Sequence, residues 1–483
     1  MYDVLTGKKI YILTLGCKVN QYESDAMYED FFAAGALRGS ENDADICIIN
    51  TCSVTNIADR KSRQMISRLR KENPDAVIVA TGCYVQAVAN RALFDRGAGT
   101  KKSSGLADRT ASRNEGDTSS SSRIPQDGSG TRKPAGDYGK DVIDADLIVG
   151  NNRKREMVRL VAEHLLGTPI EDNLIDIAKD PEFEDLRIAM PEHHTRAYLK
   201  IQDGCNMFCA YCIIPYVRGR IRNKSLDAIM EETETLAASG VKELVLTGIN
   251  ISSFGDIGDL SLADVICRIH AIPGIERIRL GSLEPRIVTE EFLQRISKLP
   301  KVCPHFHLSL QSGCDSILKR MNRHYTVADI DTIVSRLRRY YDRPALTADI
   351  IVGFPGESED EFLTTCRTVE RIGLYEAHVF PFSRRKGTVA DRMDGQLTEA
   401  EKKDRVRRLM EVVSGLKMKY EASFDNEEKK VLIEEIIDTP EGSAYRGHTE
   451  RYLLVDILPE MIGESVPDPA RINTVITLPT DRK

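Results

Sequence analysis

Short apolar runs alternate with helix-length amphipathic stretches along most of this chain, and that rhythm restricts the fold more than any other feature. Lys9–Leu15, Asp45–Asn50, Ala76–Ala80 and Asp146–Gly150 read as strands, with helices near Gln21–Ala34 and Ala58–Lys71. Strands joined through helices pair in parallel, because each crossover returns the chain to the same sheet end. The second run is apolar enough to be buried on both faces, as a central strand is. The fold class is therefore α/β, opening with a small parallel-sheet domain over residues 6–165. The alternation resumes with Arg196–Ile201, Glu243–Thr247, Arg277–Leu280, His305–Leu310, Thr347–Val352 and Glu376–Phe380. Six such units predict a partial (β/α)6 barrel over 191–424, short of the closed eight. Ser225 is placed to cap one of its helices, and Ser358 with Glu361 forms a capping box for another. Lys430–Ile436, Arg451–Asp456 and Asn473–Thr477 predict a small all-β barrel over 425–483.

Residues 96–140 differ in composition. They are rich in Ser, Gly, Arg, Lys and Asp, and too poor in apolar residues to offset the entropy of ordering, so a disordered insertion is expected. Elsewhere 41% hydrophobic and 29% charged residues describe an ordinary globular protein. No apolar run is long enough to cross a bilayer and Met1–Val4 does not begin a signal peptide, which points to a cytoplasmic protein without a membrane partner. The net charge of -7 argues against a uniformly basic nucleic-acid binder. Basic residues nevertheless gather on the helix from Arg60 to Lys71, at Arg218–Lys224 and along Arg384–Arg408.

The eleven cysteines carry the chemistry. Cys205, Cys209 and Cys212 form a Cys-x3-Cys-x2-Cys run, able to hold three irons of a 4Fe–4S cube and leave the fourth open. A zinc knuckle is the alternative, with His193 or His194 as the fourth ligand. Tyr211, just before the last cysteine, makes the run similar to the radical S-adenosylmethionine (SAM) signature. A second group is scattered in sequence. Cys17, Cys52 and Cys83 each fall just past a predicted strand, at the carboxyl edge where open α/β sheets bind ligands. Coincidence and ordinary burial remain the competing explanation. Cys47, inside a strand, reads as core, as do Cys267, Cys303, Cys314 and Cys366.

Gly16–Ser24, Asn50–Thr55 and Thr81–Tyr84 resemble the three cysteine motifs of the methylthiotransferase N-terminal domain, and Ile213–Arg220 continues the likeness. Gly447–Tyr452 resembles part of that family's RNA-binding TRAM domain. The resemblance covers the chain apart from the insertion. It implies two 4Fe–4S clusters, with SAM bound at the open iron on Cys205, Cys209 and Cys212. The cluster on Cys17, Cys52 and Cys83 would bind or supply sulfur, and a further SAM the methyl group. Gly248, Asn250, Ser309, Gln311 and Asp349 lie at barrel strand ends and are the expected SAM contacts, with Arg323 nearby. For Asp349 a structural pairing with an arginine is the alternative.

Three substrates are open to such enzymes: threonylcarbamoyladenosine or isopentenyladenosine at position 37 of tRNA, and a ribosomal-protein aspartate. Cys17–Gln21 and Ser53–Gln64 resemble the threonylcarbamoyl branch. The implied partners are the tRNA anticodon arm, an electron donor such as a flavodoxin or ferredoxin, and a sulfur source. A non-catalytic iron–sulfur or zinc RNA-binding protein is the reading from another class. The acidic last sixty or so residues fit an RNA-binding module poorly, so the three basic surfaces are the expected grip on RNA.

Overall fold

The first sheet is parallel throughout: β1 (Lys9–Thr14), β2 (Leu37–Arg38), β3 (Ile46–Thr51), β4 (Val77–Gly82) and β5 (Leu147–Val149) lie in the order β2-β1-β3-β4-β5. The structure, a computed structural model, describes residues 2–90, 143–170, 173–189 and 195–479. The 96–140 insertion, His193 and His194 lie outside the described residues. Strands β3 and β4 are buried at every position, as central strands between two helical layers must be. Helix α1 (Lys18–Ala33) starts three residues earlier than the sequence suggests, directly after Cys17. Helix α2 (Asn56–Glu72) is capped by the Thr55 side chain, which accepts from the Ala58 amide.

Six parallel strands follow as expected: β6 (Arg196–Asp203), then past the short β7 (Arg222–Asn223), β8 (Glu243–Gly248), β9 (Arg277–Leu280), β10 (His305–Gln311), β11 (Ala345–Val352) and β12 (Glu376–Pro381). They form two sheets, β7-β6-β8-β9 and β10-β11-β12. A parallel bridge between Leu283 and Leu308 joins them, with the Leu283 amide donating to the His307 carbonyl at 2.8 Å. Leu199, Leu246, Ile278, Phe306, Leu308 and Ile350 enter the large apolar core. Period-two alternation turns Lys200, Arg279, His307 and Asp349 the other way, so the inside of the curl is polar.

The chain ends in an antiparallel sheet ordered β15-β14-β13-β16, from β13 (Lys429–Thr439), β14 (Gly442–Thr449), β15 (Leu454–Ile457) and β16 (Val475–Leu478). It is a four-stranded half-barrel where the sequence suggested three strands. Strand β14 escapes pattern reading because Gly442, Ser443, Gly447 and His448 break its alternation. This sheet docks on the amino ends of the barrel strands. Arg277 donates to the His448 and Lys430 carbonyls at 3.0 and 2.9 Å, and Arg279 to the Glu450 carbonyl at 3.0 Å. Tyr452, with a positive φ of 65°, stacks on His448 at 4.3 Å and on His305 at 5.3 Å. The half-barrel therefore closes the end of the barrel remote from Asp203 and Gly248.

The N-terminal sheet meets the barrel through α1. Glu23, fully buried, pairs with Arg218, with Lys200 at 2.8 Å and with Lys154 at 3.2 Å. Tyr22 donates to Glu232 at 2.9 Å, and Lys224 also pairs with that carboxylate. Burial alone would raise the Glu23 pKa, but Arg218, Lys154 and Lys200 hold its carboxyl well below the usual range. Removing one member of such a buried network leaves charge without a partner, so Glu23→Ala should cost about 3–5 kcal/mol. The exposed Arg187–Glu231 pair, at 2.7 Å, should matter by less than about 1 kcal/mol. Denaturant unfolding of Glu23→Ala and Arg187→Ala checks the contrast; equal losses would remove the network from this role.

Candidate functional site

Two groups of three cysteines come together where the carboxyl edge of the N-terminal sheet faces the barrel. Cys17, Cys52 and Cys83 follow β1, β3 and β4, three adjacent strands, as the sequence reading expected. Two glycines make the approach possible. Gly16 has φ 113°, and a Cβ there would lie 2.8 Å from Cys52 Cβ and 3.0 Å from its Sγ. Gly82 has φ 96°, and a Cβ there would lie 2.6 Å from the Thr51 amide nitrogen. Asn20 fastens the strand ends, donating from Nδ2 to the Leu15 and Thr51 carbonyls at 2.8 and 3.0 Å. Cys17 is open to solvent, while Cys52 and Cys83 are buried. Although solvent reaches Cys17, the protein packed around its thiol strips away part of its hydration and pushes its pKa up, Arg218 working against this, while burial pushes Cys52 up to about 12. Cys47 is buried in the core as expected.

The second group lies on the loop after β6. Gly204 holds a φ of 71° against the Arg220 carbonyl, and the Cys205 amide donates to the Gly219 carbonyl at 3.1 Å. Midway, the Ala210 amide donates to the Met321 carbonyl at 2.9 Å and its own carbonyl accepts from Ala390 at 2.8 Å. Burial raises the Cys205 thiol and pushes Cys212 up to about 12. Uptake of iron by either group must therefore displace protons.

One guanidinium touches each group. Arg218 Nε donates to Cys83 Sγ at 3.2 Å, and Arg323 Nη1 to Cys209 Sγ at 3.3 Å. Arg218 also reaches Asn20 Oδ1 at 2.7 Å and Asp203 Oδ2 at 3.3 Å, besides Glu23. It thus connects Cys83 with the residue two places before Cys205. Burial opposes its charge, but Cys83, Glu23 and Asp203 outweigh burial and raise its pKa well above the ordinary value. A third arginine clamps the Cys52 loop from the far side of the barrel. Arg385 pairs with Asp59 at 2.9 Å and donates to Ser53 Oγ at 2.6 Å and Asn56 Oδ1 at 3.0 Å.

The remaining expected residues divide. Asn250 lies at Cys205, lowering its thiol through a side-chain hydrogen bond, while its amide donates to Gln202 Oε1 at 2.7 Å. Ser309 faces the same loop, its carbonyl accepting from Arg323 Nη2 at 3.1 Å and Tyr325 Oη at 2.9 Å. Gln311 sits at a bulge in β10 with φ 65°. Asp349 pairs with His307 Nε2 at 3.3 Å, so its partner is a histidine and not the arginine weighed above. Gly248 is explained by β6: a Cβ there would lie 2.8 Å from the Gln202 carbonyl oxygen. The basic surface expected at Arg218–Lys224 is absent, because Arg218, Arg222 and Lys224 are buried in ion pairs. Arg385, Lys402 and Arg405 are buried too, which breaks up the Arg384–Arg408 surface. Helix α2 remains, with Arg60, Lys61, Arg63, Arg68 and Lys71 exposed.

The donor sets suit clusters. Among the described residues no three His, Cys, Asp or Glu side chains converge as ligands of a single ion. Each triad offers three free thiols, and a cube held by three thiolates keeps one iron open. Residues 199–369 match the Radical SAM superfamily and residues 9–99 the Uncharacterized protein family UPF0004. A solved radical S-adenosylmethionine methyltransferase, TsrM from Kitasatospora setae with cobalamin and a [4Fe-4S] cluster bound, superposes with a TM-score of 0.52. It is 14% identical, covering 80% of this chain and 77% of that one. Fold and cysteine run together define a radical SAM enzyme.

Similarity over nearly the whole length narrows the class. The chain is 34% identical to Threonylcarbamoyladenosine tRNA methylthiotransferase MtaB of Bacillus subtilis, over 94% of this chain and 91% of the relative. It is 32% identical to tRNA-2-methylthio-N(6)-dimethylallyladenosine synthase of Acetivibrio thermocellus, over 98% and 91%. The protein belongs to the radical SAM tRNA methylthiotransferase family, enzymes that transfer sulfur-containing groups and use SAM and 4Fe–4S clusters. Among the described residues no helix is long and apolar enough to cross a membrane.

The packing at Gly16 makes a direct prediction. In iron-free protein a thiol reagent should modify Cys17 first and Cys52 slowly. Gly16→Ala forces a methyl against Cys52 and should speed Cys52 labelling by about tenfold or more, the strained φ adding to the displacement. Labelling resolved by peptide mass spectrometry reads this, and an unchanged Cys52 rate would contradict the geometry.

Proposed function

We propose that this enzyme methylthiolates carbon 2 of threonylcarbamoyladenosine at position 37 of tRNA. The observation that carries the reading is the pair of cysteine triads joined through Arg218, between Cys83 and Asp203. In this reading residues 6–165 are the methylthiotransferase N-terminal domain, 191–424 the radical SAM barrel and 425–483 the TRAM-like domain. Cys205, Cys209 and Cys212 hold one 4Fe–4S cluster, and Cys17, Cys52 and Cys83 a second. Bound there, the clusters and SAM supply the one-electron chemistry, sulfur and methyl group that an unactivated aromatic C–H requires.

The chain's own part is to position and to exclude water. Gly248, Asn250, Ser309, Gln311 and Asp349 line the SAM side of the opening. Arg323 and Tyr325 fix the Ser309 carbonyl, and His307 orients Asp349. Burial of Cys52, Cys83 and Cys209 keeps bulk water from the reacting centre. The opening also sets where RNA approaches. The half-barrel sits at the remote end of the barrel, whereas α2 begins beside Cys52 and exposes Arg60 and Lys61. Helix α2 is thus the first phosphate contact, with the half-barrel reaching further along the anticodon arm. An electron donor such as a flavodoxin or ferredoxin and a sulfur source complete the reaction in the cytoplasm.

The threonylcarbamoyl branch rests on Cys17–Gln21 and Ser53–Gln64 together with relatives of that name, such as the Thermotoga maritima protein at 32% identity. Mass spectrometry of tRNA nucleosides from cells lacking the enzyme tests it. The 2-methylthio group should vanish while the threonylcarbamoyl group stays. Loss from isopentenyladenosine instead would transfer the enzyme to the other branch.

A further inference from the structure

Three consecutive barrel residues seat the loop that carries Cys205, Cys209 and Cys212. The short helix Asp315–Arg320 ends in a turn at Asn322, which holds a φ of 59°, and the Arg323 amide donates back to the Leu318 carbonyl at 2.9 Å. The turn brings Met321, Asn322 and Arg323 against Phe208, Cys209 and Ala210. The Met321 carbonyl accepts from the Ala210 amide at 2.9 Å, and Asn322 Nδ2 donates to the Phe208 carbonyl at 3.2 Å. Arg323 Nη1 donates to Cys209 Sγ at 3.3 Å. Two of these contacts hold backbone. The third goes to a sulfur, and anchoring the loop does not require it.

The guanidinium group is fixed on its other sides. Nε donates to Tyr325 Oη at 3.0 Å and Nη2 to the Ser309 carbonyl at 3.1 Å, while the Tyr325 hydroxyl donates to the Leu310 carbonyl at 2.7 Å. The Arg323 side chain is 5% exposed, so little water screens its charge. Carboxylates do little to cancel it. Glu284 stands 3.8 Å away and is itself held by Arg286 at 3.0 Å. Arg218 at the other triad differs, because Glu23 and Asp203 both pair with it. A directed donor and a largely uncancelled positive charge therefore meet at Cys209.

We propose that Arg323 raises the reduction potential of the cluster held by Cys205, Cys209 and Cys212, and so eases entry of the electron that the reaction consumes. The inference rests on the reading of that triad as a cluster site. The step concerned is a one-electron reduction by the flavodoxin- or ferredoxin-class donor, with no bond made or broken at Arg323. Reduction adds negative charge to the cluster and its sulfurs. A hydrogen bond to a ligand sulfur, with a buried cation behind it, favours the more negative state. Arg323 is thus a positioning residue that acts through Cys209. A lysine there would keep the charge but lose the fork that spans Ser309, Tyr325 and Cys209.

The Cys17/Cys52/Cys83→Ala protein isolates this cluster for the test. In that background the parent, Arg323→Lys and Arg323→Gln are reconstituted and their iron is counted. Midpoint potentials are then read by redox titration followed by electron paramagnetic resonance, without SAM. Each protein should bind about four irons. Arg323→Gln should move the midpoint to more negative values by at least a tenfold change in the one-electron equilibrium, about 59 mV. Arg323→Lys should move it less. A loop that is merely loosened admits water, which also stabilises the more charged state and shifts the midpoint the other way. Unchanged or more positive midpoints at equal iron content would overturn the inference. Loss of iron from both variants would make Arg323 purely structural and overturn it too. A parent that binds no iron would overturn the cluster reading, and the inference with it.

Discussion

The guanidinium group of Arg218 holds the two halves of this molecule in register. It is fully buried, donates to Cys83 and Asn20 on one side, and pairs with Asp203 on the other. Glu23 balances it from α1, with Lys154 and Lys200 completing the set. Burying so many charges yields little net stability compared with apolar packing, because desolvation offsets most of the attraction. What it provides is geometric demand. A planar fork with fixed partners admits few relative positions of the N-terminal sheet and the barrel. The partners are residues of the cysteine edges themselves, so fixing the halves also fixes the triads.

The same constraint accounts for the distribution of basic residues. Arg218, Arg222 and Lys224 follow the radical SAM cysteines and would serve an RNA surface by composition, yet all are consumed internally. Arg385 is likewise spent on the Cys52 loop. The half-barrel is docked at the opposite end of the barrel through Arg277 and Arg279, while α2 exposes Arg60 and Lys61 beside the Cys52 loop.

Much of this was legible in the sequence, and what was not has a physical cause. The parallel order of β1, β3 and β4 followed from three apolar runs, and it predicted that Cys17, Cys52 and Cys83 would share an edge. The six barrel strands were readable for the same reason. Strand β14 was missed because a half-exposed antiparallel strand rich in Gly and Ser has no clean alternation. The roles of Arg218 and Arg323 were hidden because no local pattern separates a buried arginine from a solvated one; only the partners supplied by distant strands do. Asn20 and Arg218 do fall inside the quoted motifs, which was the one signal available. Arg385 had none, since its partners Ser53, Asn56 and Asp59 are more than three hundred residues away in sequence.

The central claim is that both triads carry clusters at one opening. Electron paramagnetic resonance of the reduced, reconstituted enzyme tests it most directly, with iron counted alongside. Wild type should bind about eight irons, and the triple variants Cys17/Cys52/Cys83→Ala and Cys205/Cys209/Cys212→Ala about four each. The wild-type spectrum should show broadening from mutual coupling that neither variant shows. A wild-type spectrum equal to the sum of the two variants, or a triple variant with unchanged iron, would contradict the account.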